Sequence, residues 1–448
     1  MRKLFTGAAL CSMVFAAAVS VAQEVKKCAT DELVSQLANN NPSLKNAIDE
    51  YEQDIQYRTS LMVNSNTTVY KTTSTYPVAL VFHVVLSQAQ IDQIGGVAGI
   101  YDRVVSQIEV LNIDFNAQNT ETIPAPFAAL KGNPSMNFGL AHTKPDGTGT
   151  IGIEILTKPA GFTGFDVTDG SVKKTANGGL NPWDNSRYLN VWITNITNGG
   201  GGGEILGYAY NPKLAALIGD ASLMGVVVDY LAFGKRKSLS QSFISNADKG
   251  RTMVHEFGHF FTLNHIWGNT AVGSGNCGDD DGVDDTPKQS DANQSVCPSY
   301  PKLPNCNGTP EGQMFMNYMD YVMDVCMSMF TKGQVTRMQS EFTAGGGSPN
   351  LHKNIHLFSW PAGVNEASMQ HNIDIVPNPS NGVFTITHSD GLKQITVHNM
   401  LGQIVKQIPV SSQQSGTISV DITDAGKGMY TIQCMYNEGM VSKKVIVQ

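Results

Sequence analysis

The sequence predicts an α+β fold, a mixed twisted sheet with a histidine-bearing helix beneath it, followed by a small all-β sandwich. Three observations carry that reading. β-branched apolar runs and a helically spaced stretch share the first two thirds of the chain. Two histidines four residues apart, His255 and His259, mark one helix face. After Pro361 the pattern changes to short alternating strands separated by turn residues. A length of 448 residues fits two or three domains.

Residues 1–22 combine a basic start (Arg2, Lys3), an apolar run through Val21 and a small-x-small end, Ser20-Val21-Ala22, which is the pattern of an export signal. Cys11 follows Leu10 inside the apolar run, so it does not read as a lipid-anchor cysteine. No later stretch is long and apolar enough to span a bilayer once the signal is removed. A net charge of −8 without a concentrated basic run argues against nucleic acid or an anionic membrane as partner. Export permits disulfides among Cys28, Cys277, Cys297, Cys306, Cys326 and Cys434, and the four that cluster after the histidines are expected to form two bridges.

Residues 23–75 are polar, Asn-rich and helix-prone, with Asp31, Glu32, Asp49, Glu50 and Glu52 among scattered leucines and isoleucines. They read as a pro-segment, with Arg58 as the expected cleavage point. That divides the chain into a signal (1–22), a pro-segment (23–58), a main domain (59–355) and a terminal domain (366–448). Residues 78–86 are a buried strand in which His83 is read as a core residue rather than a ligand. Val97, Ile100, Tyr101, Val104, Val105, Ile108 and Leu111 follow helical spacing, and that helix should cover the strand. Further strands are expected at 136–141, 188–193, 205–210 and 225–230. Asn198 and five glycines (199–203) precede the third of these. Either that strand is the exposed edge, where an extended peptide can add by backbone pairing, or the glycines are a mere connector.

At 255–265 stands HEFGHFFTLNH. His255 and His259 can bind one ion from a single helix face, and Glu256 lies beside the first ligand. His265 would lie about 240° around and about 9 Å along an uninterrupted helix, so it joins them only if the helix ends first. Three protein ligands and an open position are the catalytic form of zinc, which lowers the pKa of a bound water to about 7. Glu256 is then the group to orient and deprotonate that water. The stretch resembles the metzincin metallopeptidases, whose pattern is HExxHxxGxxH, except that Thr262 stands in place of the glycine that ends the helix. Either Thr262 is strained or the turn is made differently. A thiolate is a good zinc ligand, so Cys28 either takes the water's position and keeps the precursor latent or is a thiol without a role.

CGDDDGVDDTP (277–287) packs five aspartates around one glycine, which suits calcium or forms a solvated acidic loop. NYMDYVMDVC (317–326) resembles the methionine turn beneath the zinc of metzincins. With MFTKGQVTRM following in order, residues 75–345 resemble the pappalysin family. The resemblance implies a secreted zinc metalloendopeptidase acting on protein or peptide substrates, with a metzincin-type domain and its active-site helix. It implies zinc on His255, His259 and His265, Glu256 as general base, Met319 as hydrophobic floor and Tyr321 as stabiliser of the oxyanion. It also implies bridges Cys277–Cys306 and Cys297–Cys326, calcium held by Asp281, Thr286 and the Val283 carbonyl, and Cys28 as the latency cysteine. Asp324, five residues past Met319, would lie at the base of the pocket following the scissile bond and favour Arg or Lys there. The rival from another class is a non-catalytic surface or adhesion protein with a structural metal, for which Thr262 is the support.

In the last region, strands are expected at 383–387, 394–398, 403–407, 417–422, 429–434 and 443–447. VPNPSNG, NMLGQIV, GMYTI and the terminal KKVIVQ resemble the sorting domain of type IX secretion substrates over residues 373–448. That implies the type IX machinery as partner and an extracellular or cell-surface location. A carbohydrate-binding module is the other reading of this domain, although it has few aromatics for stacking.

Overall fold

The computed structural model describes residues 25–64, 75–198, 204–268, 272–359, 373–399, 404–410, 414–436 and 440–448. The export signal and the five-glycine loop lie outside the described residues. The chain starts with β1 (Val25–Lys26), α1 (Thr30–Asn39) and α2 (Pro42–Asn64). In α2 the side chains of Leu44, Tyr51, Ile55, Arg58 and Met62 are buried, an i, i+7, i+11, i+14, i+18 stripe that gives this polar helix one packing face. Arg58 lies within that helix with its guanidinium on the Ser340 carbonyl (2.8 Å) and Glu341 (3.2 Å). The expected division at residue 58 therefore falls inside a helix, on its packed face, rather than in a linker.

The main domain contains β2 (Tyr76–Ser87), α3 (Gln88–Gln93), α4 (Gly96–Asp114), α5 (Ala125–Ala128), β3 (Met136–Ala141), β4 (Ile153–Lys158), β5 (Phe165–Asp166), β6 (Leu189–Thr194), β7 (Ile196–Thr197), β8 (Glu204–Ile205), β9 (Gly207–Tyr210), α6 (Pro212–Ile218) and β10 (Gly225–Asp229). It closes with α7 (Arg251–Phe260), α8 (Lys332–Ser340) and β11 (Phe358–Ser359). One sheet runs β11-β3-β2-β6-β10-β9, with β4 also on β2. β3, β4 and β6 pair with β2 in parallel and β10 pairs with β6 in parallel, whereas β9 and β11 are antiparallel at the two ends. β2 is buried along nearly its whole length, as a central parallel strand covered on both faces must be. Strand β4 is absent from the sequence reading, since IEILTK sits among turn residues and only half alternates.

α4 and α7 pack under one face of the sheet around Ile100, Val104, Ile108, Val254 and Phe257. His83 is fully buried, bonded to Glu154 (2.8 Å) and Asn190 (2.9 Å) and stacked on Trp192, as a satisfied core histidine should be. The edge strand β9 pairs on one side only with β10, and on its open side the chain's own N-terminal segment adds itself. β1 pairs with β8 in parallel, and the Ala29 N–H donates to the Gly207 carbonyl (3.1 Å).

The terminal domain is all antiparallel: β12 (Asp374–Val376), β13 (Val383–His388) and β16 (Gly416–Asp421) form one sheet. β15 (Ile404–Pro409), β14 (Gln394–His398), β17 (Gly428–Met435) and β18 (Met440–Val447) form the other. Phe384, Ile386, Ile395, Val397, Val420 and Ile432 fill a separate core, which also holds the free Cys434. Among the described residues no helix is long and apolar enough to cross a membrane.

Candidate metal centre

All ten residues of α7 are buried, because the helix lies between the sheet and the segment after it. Its N-terminus has Gly250 at the cap and no side chain of its own to accept the free N–H groups. Asp324 does so from across the domain: its Oδ2 accepts from the N–H groups of Lys249 (3.0 Å) and Arg251 (3.1 Å).

At the other end the helix stops at Phe260, and Thr262 adopts φ 72°. The Thr262 N–H donates to the His259 carbonyl and the Leu263 N–H to the Gly258 carbonyl, both at 2.9 Å, which is the bond pair of a Schellman turn. Thr262 thus makes the same turn that glycine would make, in a conformation that costs a β-branched residue about 1–3 kcal/mol. Its Oγ1 is buried without a partner. The turn returns the chain so that His265 reaches the face carrying His255 and His259.

The three Nε2 atoms converge to 3.0–3.2 Å of one another. Each Nδ1–H has an acceptor: the Tyr318 carbonyl for His255 (2.7 Å), the Leu263 carbonyl for His259 (2.7 Å) and the Asp31 carboxylate for His265. Those bonds fix the tautomer, so three lone pairs face one another with no hydrogen between them. Burial, the other two imidazoles and Lys27 hold His255 well below its ordinary range, and burial with His265 pushes His259 down to about 3. Neutral imidazoles in this arrangement repel unless a cation lies between them. Tetrahedral zinc at about 2.0–2.1 Å from each nitrogen asks for nitrogens about 3.3 Å apart, so the donor set fits zinc.

Cys28 completes the group: its Sγ and the three imidazole nitrogens all lie within 4.8 Å of one another. Burial, and Glu256 beside it, push the thiol well above its ordinary range, so a thiolate here needs a cation. Glu256 is fully buried, with Oε2 at 3.5 Å from Cys28 Sγ and 3.4 Å from Thr30 Oγ1, and Oε1 unpartnered. Burial raises its carboxyl well above the usual range, against those two bonds. Gly207 at the start of β9 allows this approach, since a Cβ there would meet Glu256 at 2.8–3.0 Å. Met319 packs its sulfur against Gly258 of α7, closer than a Cβ there would allow. Tyr321 donates its hydroxyl to the Cys28 carbonyl (3.1 Å), and Trp267 stacks flat on His265 at 4.4 Å between ring centres.

A second cluster adjoins the first. Lys27 sends its buried ammonium to the Val322 carbonyl (2.8 Å), Met327 Sδ (3.1 Å) and Asp324 Oδ1 (3.3 Å). Burial lowers its pKa, opposed by Asp324. The sequence reading gave a role at the site to Cys28 but none to its neighbours Lys27, Thr30 and Asp31. Their adjacency to a lone cysteine was the available signal.

The structure joins Cys277 to Cys306 and Cys297 to Cys326. In the acidic loop Asp281 is buried, and burial pushes its carboxyl up to about 7. Its Oδ1 accepts from Thr286 Oγ1 (2.6 Å), while its Oδ2 and Asp285 Oδ1 are buried without partners.

Comparison with known proteins agrees with this geometry. A family model described as pregnancy-associated plasma protein-A matches residues 177–343, and one described as a secretion system C-terminal sorting domain matches residues 374–448. Mature mirolysin of Tannerella forsythia, solved with a cleaved peptide, is 38% identical with a TM-score of 0.55, over 64% of this chain and 99% of that one. A promirolysin mutant of the same organism is 34% identical with a TM-score of 0.62, over 75% and 100%. An extracellular metalloprotease of Arthroderma otae is 32% identical over 35% of this chain and 51% of its own length. One from Arthroderma benhamiae is 31% identical over 45% and 69%. The chain spans about half the length of the first of these curated relatives.

Proposed function

This chain belongs to the pappalysin family of metalloproteases, and from that premise we propose a secreted zinc endopeptidase, made as a latent precursor, that favours Arg or Lys immediately after the scissile bond. The observation that carries it is the way residues 27–31 address the site: Lys27 meets Asp324, Cys28 the three imidazoles, Thr30 the general base and Asp31 the third histidine. A lysine at Asp324 supports a pocket for basic side chains, and a cysteine at the metal supports latency.

When bound, zinc would polarise a peptide carbonyl and lower the pKa of a water to about 7. Glu256 takes the water's proton and later passes it to the leaving amine. Tyr321, whose hydroxyl now meets the Cys28 carbonyl, is placed to donate to the substrate's carbonyl oxygen. The open side of β9 would hold the substrate backbone once the pro-segment leaves.

The reading is tested with fluorogenic peptides carrying Arg, Lys or Ala after the scissile bond, given to the trimmed protein with and without a chelator of divalent metals. The Arg and Lys peptides should be cleaved fastest, the chelator should stop cleavage and zinc should restore it. Undiminished turnover in the chelator would refute the metal's part.

We further propose that the acidic loop binds calcium through Asp281, Thr286 and the Val283 carbonyl, with the unpartnered Asp281 Oδ2 supporting the assignment. Calcium at about 100 times its Kd should raise the melting temperature by about 5–10 °C. Identical melting in calcium and in a calcium chelator would rule this out. The terminal sandwich is proposed as the part recognised by the type IX secretion machinery.

A further inference from the structure

The turn that brings His265 back to the metal centre is held from a helix far along the chain. We propose that Arg337 of α8 is a positioning residue for the third metal ligand. Its Nε–H, on the Thr262 carbonyl at 2.7 Å, keeps a β-branched residue in the left-handed conformation that glycine adopts unaided, and thereby sets where His265 lands.

Arg337 is 2% exposed, so this bond is sheltered from water. The Thr262 side chain adds nothing to the hold, since its Oγ1 is buried without a partner. The next carbonyl, that of Leu263, accepts from His259 Nδ1, so the turn is gripped at two successive peptides, by Arg337 and by a metal ligand. Relaxation of Thr262 to negative φ would withdraw the Leu263 N–H from the Gly258 carbonyl and the Leu263 carbonyl from His259. His255 and His259 would keep their helix, but His265 would lose its register with them.

The other two guanidinium nitrogens face Glu52 of α2, at 2.6 Å and 2.7 Å. One side chain therefore makes two separable contacts, the inner nitrogen on the turn and the outer fork on the pro-segment. Arg337→Gln places an amide nitrogen at the Nε position and removes the fork. Arg337→Met removes both.

The inference rests on the reading that His265 binds zinc. It is tested on the full-length precursor by zinc content and by the rate of zinc transfer to a chromophoric chelator. Arg337→Met should release zinc about 10–100 times faster than the parent. Arg337→Gln should release it at the parent's rate, and so should Thr262→Gly combined with Arg337→Met, because glycine needs no hold. The proposal is overturned if Arg337→Met releases zinc as slowly as the parent, if its effect persists in the Thr262→Gly background, or if Arg337→Gln behaves like Arg337→Met. Should Arg337→Met fail to fold, a folded, zinc-bearing Thr262→Gly/Arg337→Met protein supports the proposal, and failure of both overturns it. A parent without zinc would instead refute the metal centre itself.

Discussion

Glu256→Gln is expected to leave zinc bound at parental stoichiometry and to lower peptide hydrolysis by about 10²–10⁴-fold or more. The amide has the same shape, so the packing against Gly207 and the bond from Thr30 survive. It cannot accept a proton, and among the described residues no other carboxylate stands in that place: Asp31 is taken by His265 Nδ1. The same variant separates two meanings of latency. Cys28→Ala in the precursor removes the thiol from the imidazoles and should shorten the delay before hydrolysis begins, since residues 27–31 still occupy the site until the chain is cut. Cys28→Ala with Glu256→Gln should be silent again. Metal analysis beside a peptide assay reads all three proteins. Full turnover by Glu256→Gln would remove this side chain from the mechanism, and a Cys28→Ala precursor that becomes active no sooner than the parent would leave the thiol without a part in latency.

How much of this was legible depended on distance along the chain. His255 and His259 followed from one helical repeat, and His83 as a core residue followed from the β-branched run around it. The edge strand, expected at 205–210 and found at Gly207–Tyr210, was readable from the glycines before it. What the sequence could not carry were contacts closed by the fold. Whether Thr262 was strained or replaced by another turn depended on Arg337, 75 positions on, because an isolated threonine is a poor C′ residue. Asp31 as partner of His265 and Lys27 as partner of Asp324 needed the N-terminal segment to lie along β8 and β9, the partners being 234 and 297 positions apart. Arg58 read as a cleavage point because its charge stood out, whereas its surroundings in α2 became visible only once Glu341 was beside it. The acidic composition of 277–287 could not separate Asp281, which is buried, from Asp279 and Asp284, which are not.

Asp324→Asn is expected to lower kcat/KM for peptides with Arg or Lys after the scissile bond by about 2–4 kcal/mol, a factor of roughly 30–1000, and to change neutral peptides little. The choice of asparagine follows from the two duties of this carboxylate. Oδ2 takes the N–H groups of Lys249 and Arg251 at the start of α7, while Oδ1 faces the Lys27 ammonium. Alanine would free both N–H groups at the head of the helix that carries His255 and His259, and lost activity would then say nothing about specificity. Asparagine keeps an oxygen for the helix and turns an amide N–H₂ toward the pocket, donor against donor. The Val322 carbonyl and Met327 sulfur remain, but neither carries the charge that compensates a buried cation. The same exchange leaves Lys27 buried without its counter-charge, so the Asp324→Asn precursor should also hold its pro-segment more loosely and be cut faster by an added protease. Cleavage-site mapping on a peptide mixture reads the first effect and a proteolysis time course the second. An unchanged preference for basic residues, in a protein whose zinc content and melting are also unchanged, would move the pocket away from Asp324.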